Sequence, residues 1–239
     1  MKLINEEEKI DYYIEKYNIN NFFSSNMRKY MTFHKWKCGE FVCKEGEPLN
    51  YIYFLVKGNA KVYKNFENGK SLLICFYNPV KYNQIKIIGD LEFLKNSMAD
   101  CSIRVIKDVY AIAIKLDEVK NILLNDCKFL RRMCEYLGEK LSSNSTNSSI
   151  NLLYPLENRL ASYIVAYLNT DEEESVEDGK VFKFEGNYTE IAELLGTSYR
   201  HLNRTIKKMC DDKIIQKEDK GYKVLEYNKL LSLSGELYK

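Results

Sequence analysis

One segment restricts what this chain can fold into more than any other, and it is 187–211, NYTEIAELLGTSYRHLNRTIKKMCD. Asn187 and Glu190 have the N-x-x-E spacing of a helix start, in which the Asn side chain caps free N–H groups and the Glu side chain reaches back. Gly196 stands where that helix must end, because glycine enters the left-handed backbone region at low cost. Ser198 can cap a second helix. The segment therefore predicts a helix-turn-helix.

The second predicted helix has two chemically different faces. Leu202, Ile206 and Met209 recur at helical spacing and are expected to face a core. The residues expected on the outer face or at its start are polar, aromatic or basic: Ser198, Tyr199, Arg200, Asn203, Arg204, Lys207 and Lys208. Arg and Asn side chains read base edges in the major groove, and Lys side chains meet phosphates. We therefore predict that these residues contact DNA, the alternative being a solvated charged face in some other helical domain.

Charge is concentrated in this part of the chain. Between residues 198 and 217 there are six basic and two acidic side chains, which is +4 locally, against +2 for all 239 residues. A protein that is nearly neutral as a whole needs such a local concentration if it is to bind phosphates.

The residues around this segment predict a winged helix. Ile214 and Ile215, a polar stretch to Lys220 and a turn at Gly221 before Tyr222 indicate a hairpin directly after the second helix. Residues 181–184 are apolar except for Lys183 and could add a strand before the first helix. Residues 228–237 are predicted to form a closing helix.

The first half of the chain changes pattern at about residue 32. Residues 6–30 are predicted to be helical, and 117–124 form another predicted helix. Between them, short apolar runs separated by glycines predict an antiparallel barrel or jelly roll. The runs are 41–43, 51–56, 60–63, 72–76, 103–106 and 110–114.

A longer helix is predicted to begin near Asp126. Leu130, Cys134, Leu137 and Leu141 step along it at heptad spacing, which predicts a dimer contact. The Ser/Asn-rich run 142–151 has two interpretations. It is a flexible linker by composition, or it continues the helix with small residues that let two backbones approach closely. A new helix is expected at Pro155, and the acidic run 171–178 is expected to be a solvated loop.

Several classes of protein are disfavoured. No apolar run approaches the roughly 18–20 residues that span a bilayer, and the acidic start lacks the apolar core of a signal peptide, so we expect a cytoplasmic protein. Seven scattered cysteines without a C-x-x-C pair, and only two histidines, predict reduced thiols and no metal site. No catalytic motif is recognisable, so we predict neither a cofactor nor enzymatic activity.

The order of these parts resembles the Crp/Fnr family of bacterial transcription regulators. The resemblance rests on YIYFLVKGNAKVYKNFENGKSLLICF, IIGDLEFL, NRLASYI and the helix-turn-helix with its wing, and LLYPLENRLASYI and LGTSYRHLNRT look most like the YeiL-like subgroup. It implies an α+β fold with a cyclic-nucleotide-binding-type jelly-roll sensor domain (1–125), a long dimerisation helix (126–154) and a winged-helix DNA-binding domain (155–239). It further implies a homodimer on a pseudo-palindromic operator and contact with RNA polymerase.

The chain departs from the family where cyclic nucleotides bind. Family members that bind cyclic AMP have a G-E-L-A phrase followed by an Arg and a Ser or Thr. Here Gly89, Asp90, Leu91 and Glu92 match that phrase loosely. Alignment places Ala99 and Asp100 at the Arg and Ser/Thr positions. A phosphate needs fixed positive charge, so we expect no cyclic-nucleotide control.

An effector pocket of another kind remains an alternative. Its candidate residues are Gly89, Asp90, Leu91 and the nearby Arg104, whose direction strand alternation leaves open. The ligand would be a small molecule that the sequence does not identify.

Two further expectations concern specificity and sensing. Many family members have a Glu where this chain has Arg200, and an Arg there favours guanine over cytosine as the contacted base. As an alternative function, the chain could be a redox or small-molecule sensor that acts through protein contacts. Cys38, Cys43 and Cys101 are then the first candidates, although unpaired cysteines commonly serve as buried core residues.

Overall fold

A computed structural model describes residues 2–4, 7–67, 71–79, 85–95, 98–168, 179–182, 187–219 and 221–235. The chain forms two compact units, Met1–Leu141 and Ser142–Lys239. The strands are β1 (Lys2–Ile4), β2 (Met31–Trp36), β3 (Phe41–Cys43), β4 (Tyr51–Asn65), β5 (Ser71–Tyr77), β6 (Lys86–Ile88), β7 (Ser102–Lys115), β8 (Val181–Phe182), β9 (Ile215–Glu218) and β10 (Gly221–Val224). The helices are α1 (Glu7–Lys16), α2 (Asp90–Lys95), α3 (Leu116–Leu124), α4 (Cys127–Leu153), α5 (Leu156–Leu168), α6 (Tyr188–Leu194), α7 (Tyr199–Asp211) and α8 (Tyr227–Ser234).

The first unit is built on an antiparallel sheet of seven strands. Its main path is β1-β2-β7-β4-β5, with β3 paired to β7 and β6 paired to β4. All of its pairings are antiparallel, and helices lie outside the sheet, which confirms the predicted α+β class with an N-terminal sheet domain. The strands β1, β2 and β6 were not among the predicted runs.

Four predicted strands are in fact two long ones. Segments 51–56 and 60–63 join into β4, and 103–106 and 110–114 join into β7. The apparent break at Gly58 is a point of close approach, because a Cβ added there would lie 2.1 Å from the carbonyl oxygen of Asp108. Gly58 also has a φ of +98°, which an L side chain rarely adopts. The pairing of β4 and β7 shifts register around this glycine and then continues.

The sheet has a hydrophobic cluster on each face. One contains Phe33, Phe54 and Ile112 and includes residues of α1, α3 and the start of α4. The other contains Trp36 and Tyr53 and lies among the strands. Strands covered on both faces lose the strict alternation of apolar and polar residues.

The predicted helix over 6–30 is largely wrong. Regular helix ends at Lys16, and Asn18 has a left-handed φ of 50°. Only short 3-10 turns follow, at Ile19–Phe22 and Arg28–Tyr30.

Helix α4 starts at a strong cap and does not stop at the Ser/Asn run. Asp126 Oδ1 accepts hydrogen bonds from the backbone N–H groups of Lys128 at 3.0 Å and Phe129 at 3.1 Å. The same carboxylate accepts two bonds from Ser24. The helix then runs unbroken to Leu153, so the helical interpretation of 142–151 is right and the linker interpretation is wrong.

The second unit contains the predicted winged helix. The sheet β8-β10-β9 accompanies helices α5 to α8. The hairpin is confirmed, but Gly221 pairs with Glu218 inside the ladder rather than forming the turn. Of the predicted strand 181–184, loop 171–178 and closing helix 228–237, the residues 183–184, 171–178 and 236–237 lie outside the described residues.

Candidate nucleic-acid interface

The first helix of the motif is capped at both ends as the sequence predicts. Asn187 Oδ1 accepts from the N–H of Glu190 at 3.0 Å, and Glu190 Oε2 accepts from the N–H of Asn187 at 3.2 Å. This reciprocal pair satisfies N–H groups that the helix itself leaves open. After α6, Gly196 has a φ of +60° and turns the chain towards the second helix.

The second helix, α7, is fixed by its cap and by its buried face. Ser198 Oγ accepts from the N–H of His201 at 3.2 Å, as expected of an N-cap. Leu202 and Met209 are fully buried, and Ile206 is 4% exposed. This apolar stripe determines which face of α7 remains accessible to a partner.

The accessible face collects the predicted DNA-contact residues on one surface. Arg200, Arg204 and Lys207 are exposed and recur at intervals of four and three residues, which places them on a single stripe. Tyr199 is 50% exposed and its ring packs edge-on against Tyr188 at a centroid distance of 6.5 Å. Most of the set is exposed and Asn203 is half-buried: Ser198, Tyr199, Arg200, Asn203, Arg204, Lys207 and Lys208.

Lys208 differs from the other cations of this surface. Its Nζ lies 2.6 Å from Oε2 of Glu157 on α5. The hydrogen bond to Glu157 raises the pKa of the Lys208 ammonium. A phosphate would have to compete with this carboxylate, so Lys208 is the weakest member of the predicted set.

Sequence reasoning did not include His201 in the interface. His201 is exposed in the first turn of α7, and its Nδ1 lies 3.3 Å from Oγ1 of Thr197. The only sequence signal for the contact between His201 and Thr197 is their spacing of four residues across the start of a capped helix. The first turn of a recognition helix is the part that meets base edges, so His201 belongs to the same surface.

The candidate effector residues have separate partners. Asp90 is buried, and its Oδ2 lies 2.9 Å from Nζ of Lys140 on α4. Arg104 is exposed between buried neighbours, with Nε 3.4 Å from the carbonyl oxygen of Gly39 and its guanidinium over the ring of Phe41. Strand alternation therefore turns the Arg104 side chain towards solvent.

The other two members of that set, Gly89 and Leu91, have backbone and packing roles. Gly89 has a φ of +94°, and a Cβ there would lie 2.8 Å from the carbonyl oxygen of Tyr51. Leu91 is half-buried on the first turn of α2.

Two of the three candidate sensor cysteines, Cys43 and Cys101, lie in surroundings that are unfavourable for thiolate chemistry. Burial raises the pKa of the Cys43 thiol to about 12 and also raises the pKa of Cys101. Cys38 is exposed, and its thiol donates to the carbonyl oxygen of Ile106 at 3.0 Å. Since the thiolate is the reactive form, Cys43 and Cys101 are poor nucleophiles. Among the residues described, no three His, Cys, Asp or Glu side chains form a group that could hold a metal ion.

The predicted dimer stripe on α4 is partly accessible. Leu130 and Leu137 are half-buried, whereas Cys134 is exposed and Leu141 is 72% exposed. Near the end of the same helix, Leu152 and Leu153 are 85% and 77% exposed. No helix within the described ranges is long and apolar enough to cross a membrane.

Comparison with known proteins identifies both halves of the chain. The family profile of the cyclic nucleotide-binding domain matches residues 33–126, and that of the Crp-like helix-turn-helix domain matches residues 158–233. The regulatory protein YeiL of Escherichia coli is 27% identical over 198 residues, which cover 83% of each chain.

Solved structures agree with this assignment at the level of the fold. A putative Crp/Fnr-family regulator from Eubacterium rectale aligns with a TM-score of 0.72 and 12% identity over 92% of this chain and 99% of its own. A CRP/FNR-family regulator from Thermus thermophilus aligns with a TM-score of 0.66 and 16% identity over 85% and 98%. With both sequence profiles matched in the family's order and the winged helix in place, the chain belongs to the Crp/Fnr family of DNA-binding transcription regulators.

Proposed function

We propose that this chain regulates transcription as a homodimer that places α7 of each copy in the major groove of a pseudo-palindromic operator. The observation that carries the proposal is the division of α7 into two faces. Leu202 and Met209 are fully buried, while Arg200, Arg204 and Lys207 are exposed on one stripe. A helix held this way presents cations and hydrogen-bond donors on the face that would enter a groove.

Individual roles follow from side-chain chemistry. Arg200 lies in the first turn, where a guanidinium can donate two parallel bonds to O6 and N7 of guanine. Tyr199 and Arg204 contact bases or adjacent phosphates, with Asn203 limited by its partial burial. Lys207 lies further along and meets the phosphate backbone.

A second copy of the chain is the proposed partner of the exposed stripe on α4. Crp/Fnr regulators act as dimers, and Cys134, Leu137 and Leu141 leave apolar surface available on this helix. The exposed run 142–149 consists mainly of small polar residues, which would allow two such helices to approach closely. The distance between the two copies of α7 then has to match one helical repeat of DNA, about 34–36 Å.

Independence from cyclic nucleotides is supported by charge. Ala99 is buried where related sensors carry an Arg, and the next residue, Asp100, is a carboxylate held by Lys64 at 3.4 Å. A further carboxylate, Glu92, accepts from the N–H of Asp100 at 3.1 Å. Asp100 and Glu92 thus stand where a phosphate clamp needs a free positive charge, and the Lys64 ammonium is already paired with Asp100.

The regulator would act in the cytoplasm on promoter DNA, with RNA polymerase as a further partner. Control by oxidation of Cys43 or Cys101 is disfavoured, because burial raises the pKa of both thiols.

The test is selection of bound fragments from the source genome, followed by binding over a salt series. For a dimer that replaces many counterions, log K should fall with log salt with a slope of order −5 to −10. Added cyclic AMP should leave the affinity unchanged. A flat salt response would rule out groove binding, and a response to cyclic AMP would rule out the proposed independence.

A further inference from the structure

The turn of the helix-turn-helix is bonded to the end of the long helix within the second unit. Asn151 on α4 donates from Nδ2 to the carbonyl oxygen of Leu194 at 3.2 Å. Arg159 on α5 donates from Nη1 to the carbonyl oxygen of Leu195. The last carbonyls of a helix have no partner within it, so these two side chains complete the C-terminal end of α6.

The two side chains also bond to each other. Nη1 of Arg159 lies 3.3 Å from Oδ1 of Asn151. Arg159 is only 7% exposed, so its guanidinium depends on protein acceptors rather than water. The amide of Asn151 therefore has a fixed orientation, with its oxygen towards Arg159 and its nitrogen towards Leu194.

Packing around Gly196 shows how closely the turn sits on this pair. A Cβ added at Gly196 would lie 3.2 Å from Cβ and Cγ of Asn151 and 3.3 Å from Nη1 of Arg159. These distances are tighter than ordinary van der Waals contact. Only two residues separate Gly196 from the start of α7 at Tyr199, so the position of this turn determines where α7 begins.

We propose that Asn151 and Arg159 are positioning residues for DNA reading, which fasten the turn before α7 to the C-terminal end of α4. The proposal rests on DNA binding by α7. Asn151 lies in the last turn of α4, so its amide ties the orientation of the recognition helix to that end of α4. Loss of this link leaves the charges of α7 unchanged and loosens only its orientation.

The test compares the full-length variants Asn151→Ala and Asn147→Ala. Asn147 is an exposed residue one turn earlier on α4 and serves as the matched control. The probes are a duplex selected by the unaltered protein from genomic fragments and a scrambled duplex of the same length and composition. Base contacts require accurate placement of α7, whereas phosphate contacts depend on charge. Asn151→Ala should therefore lose about tenfold affinity for the selected duplex and less than about twofold for the scrambled one.

A second variant separates positioning from folding. Arg159→Lys keeps the positive charge and loses the planar fork of the guanidinium. If the two residues form one link, their effects should not add. The double variant Asn151→Ala/Arg159→Lys should then lose little more preference for the selected duplex than the more strongly affected single variant does. Equal losses on both duplexes together with a lower melting temperature would reduce the pair to a structural role and overturn the proposal. So would unchanged binding by Asn151→Ala. Failure of the unaltered protein to prefer any duplex would instead reject the DNA-reading function itself.

Discussion

Nζ of Lys140 on α4 lies 2.9 Å from Oδ2 of Asp90, whose side chain is only 4% exposed. One helical turn earlier, the hydroxyl of Tyr136 accepts from the N–H of Ile87 at 3.0 Å. A hydrogen bond and an ion pair on the same face thus hold α4 to strand β6 and to the start of α2. Both contacts lie within the first unit.

Replacing Lys140 by Met should destabilise the protein by about 1–3 kcal/mol, because the buried Asp90 carboxylate loses its counter-charge. The value is below that for a fully buried pair, since the Lys140 side chain is 29% exposed. Urea unfolding measures the change, with the exposed Lys128→Met on the same helix as control. The double variant Asp90→Asn/Lys140→Met should recover part of the loss. Equal stabilities of the Lys140 and Lys128 variants would contradict the role of the ion pair.

Arg200→Ala should weaken binding to a selected operator by about 1–3 kcal/mol and relax the base preference at one position. Lys207→Ala is the comparison, because a phosphate contact is lost on every sequence alike. Quantitative gel-shift titration on selected and scrambled duplexes separates the two. A loss of the same size on both duplexes for Arg200→Ala would assign it to the backbone.

Leu141→Glu should disrupt the proposed homodimer, because it places a charge on the exposed apolar stripe of α4. We expect the dimer dissociation constant to rise at least about tenfold, as for a central interface residue. Sedimentation equilibrium measures it. Ile122→Glu on α3 is the control, since Ile122 is also an exposed apolar residue, at 40%. A dimer unaffected by Leu141→Glu would place the interface elsewhere.

Asp126→Ala should cost about 0.5–2 kcal/mol of folding free energy through loss of the α4 cap. Burial alone would raise the pKa of this carboxyl, but hydrogen bonds from Ser24, Phe129 and Lys128 outweigh it and the net pKa is lowered. Because the folded pKa is depressed, the carboxylate stabilises the fold above its ordinary pKa. That contribution disappears as pH falls through the folded value.

The role of Asp126 as the cap of α4 can be checked by measuring the free energy of unfolding as a function of pH in the acid range. The Asp126 variant should lose less stability between pH 7 and acid than the unaltered protein. Asp117→Ala, which removes an exposed acid in the first turn of α3, should retain the full acid sensitivity. Parallel acid profiles for the unaltered protein and the Asp126 variant would argue against the cap.

His34 gives a second pH dependence with its own window. Burial lowers its pKa, and its Nε2 lies 2.9 Å from Oγ1 of Thr32. Below the ordinary histidine pKa of about 6.5, the unfolded chain therefore binds a proton at His34 more readily than the folded chain does. The contribution of His34 to folding stability is complete above that pH and declines as the pH falls below it. His34→Gln should flatten the melting-temperature profile below pH 6.5, while the exposed His201→Gln should leave it unchanged.

The sequence correctly predicted those features that depend on residues close together in the chain. The capping box of Asn187 and Glu190, the Ser198 cap and the buried stripe of α7 depend on residues within four positions of each other. Such patterns act through the backbone of one helix, so they need no knowledge of the rest of the fold.

The sequence could not predict contacts between residues that lie far apart in the chain. Strand β2, MTFHKW, buries His34 as well as its apolar residues, so its pattern is not that of a half-exposed strand. The partners of Lys208, Asn151 and Asp90 lie 51, 43 and 50 residues away. Which distant residue faces a given side chain depends on register and packing, which no local pattern specifies.

The close approach at Gly58 determines which residues position 58 can accept. Strands β4 and β7 can run past one another as a continuous ribbon of 15 and 14 residues only because hydrogen is the sole substituent there. Even a methyl group would push the Asp108 carbonyl aside and divide the ribbon in two. A library with all twenty amino acids at this position should consequently yield folded protein almost exclusively from the variants that keep glycine.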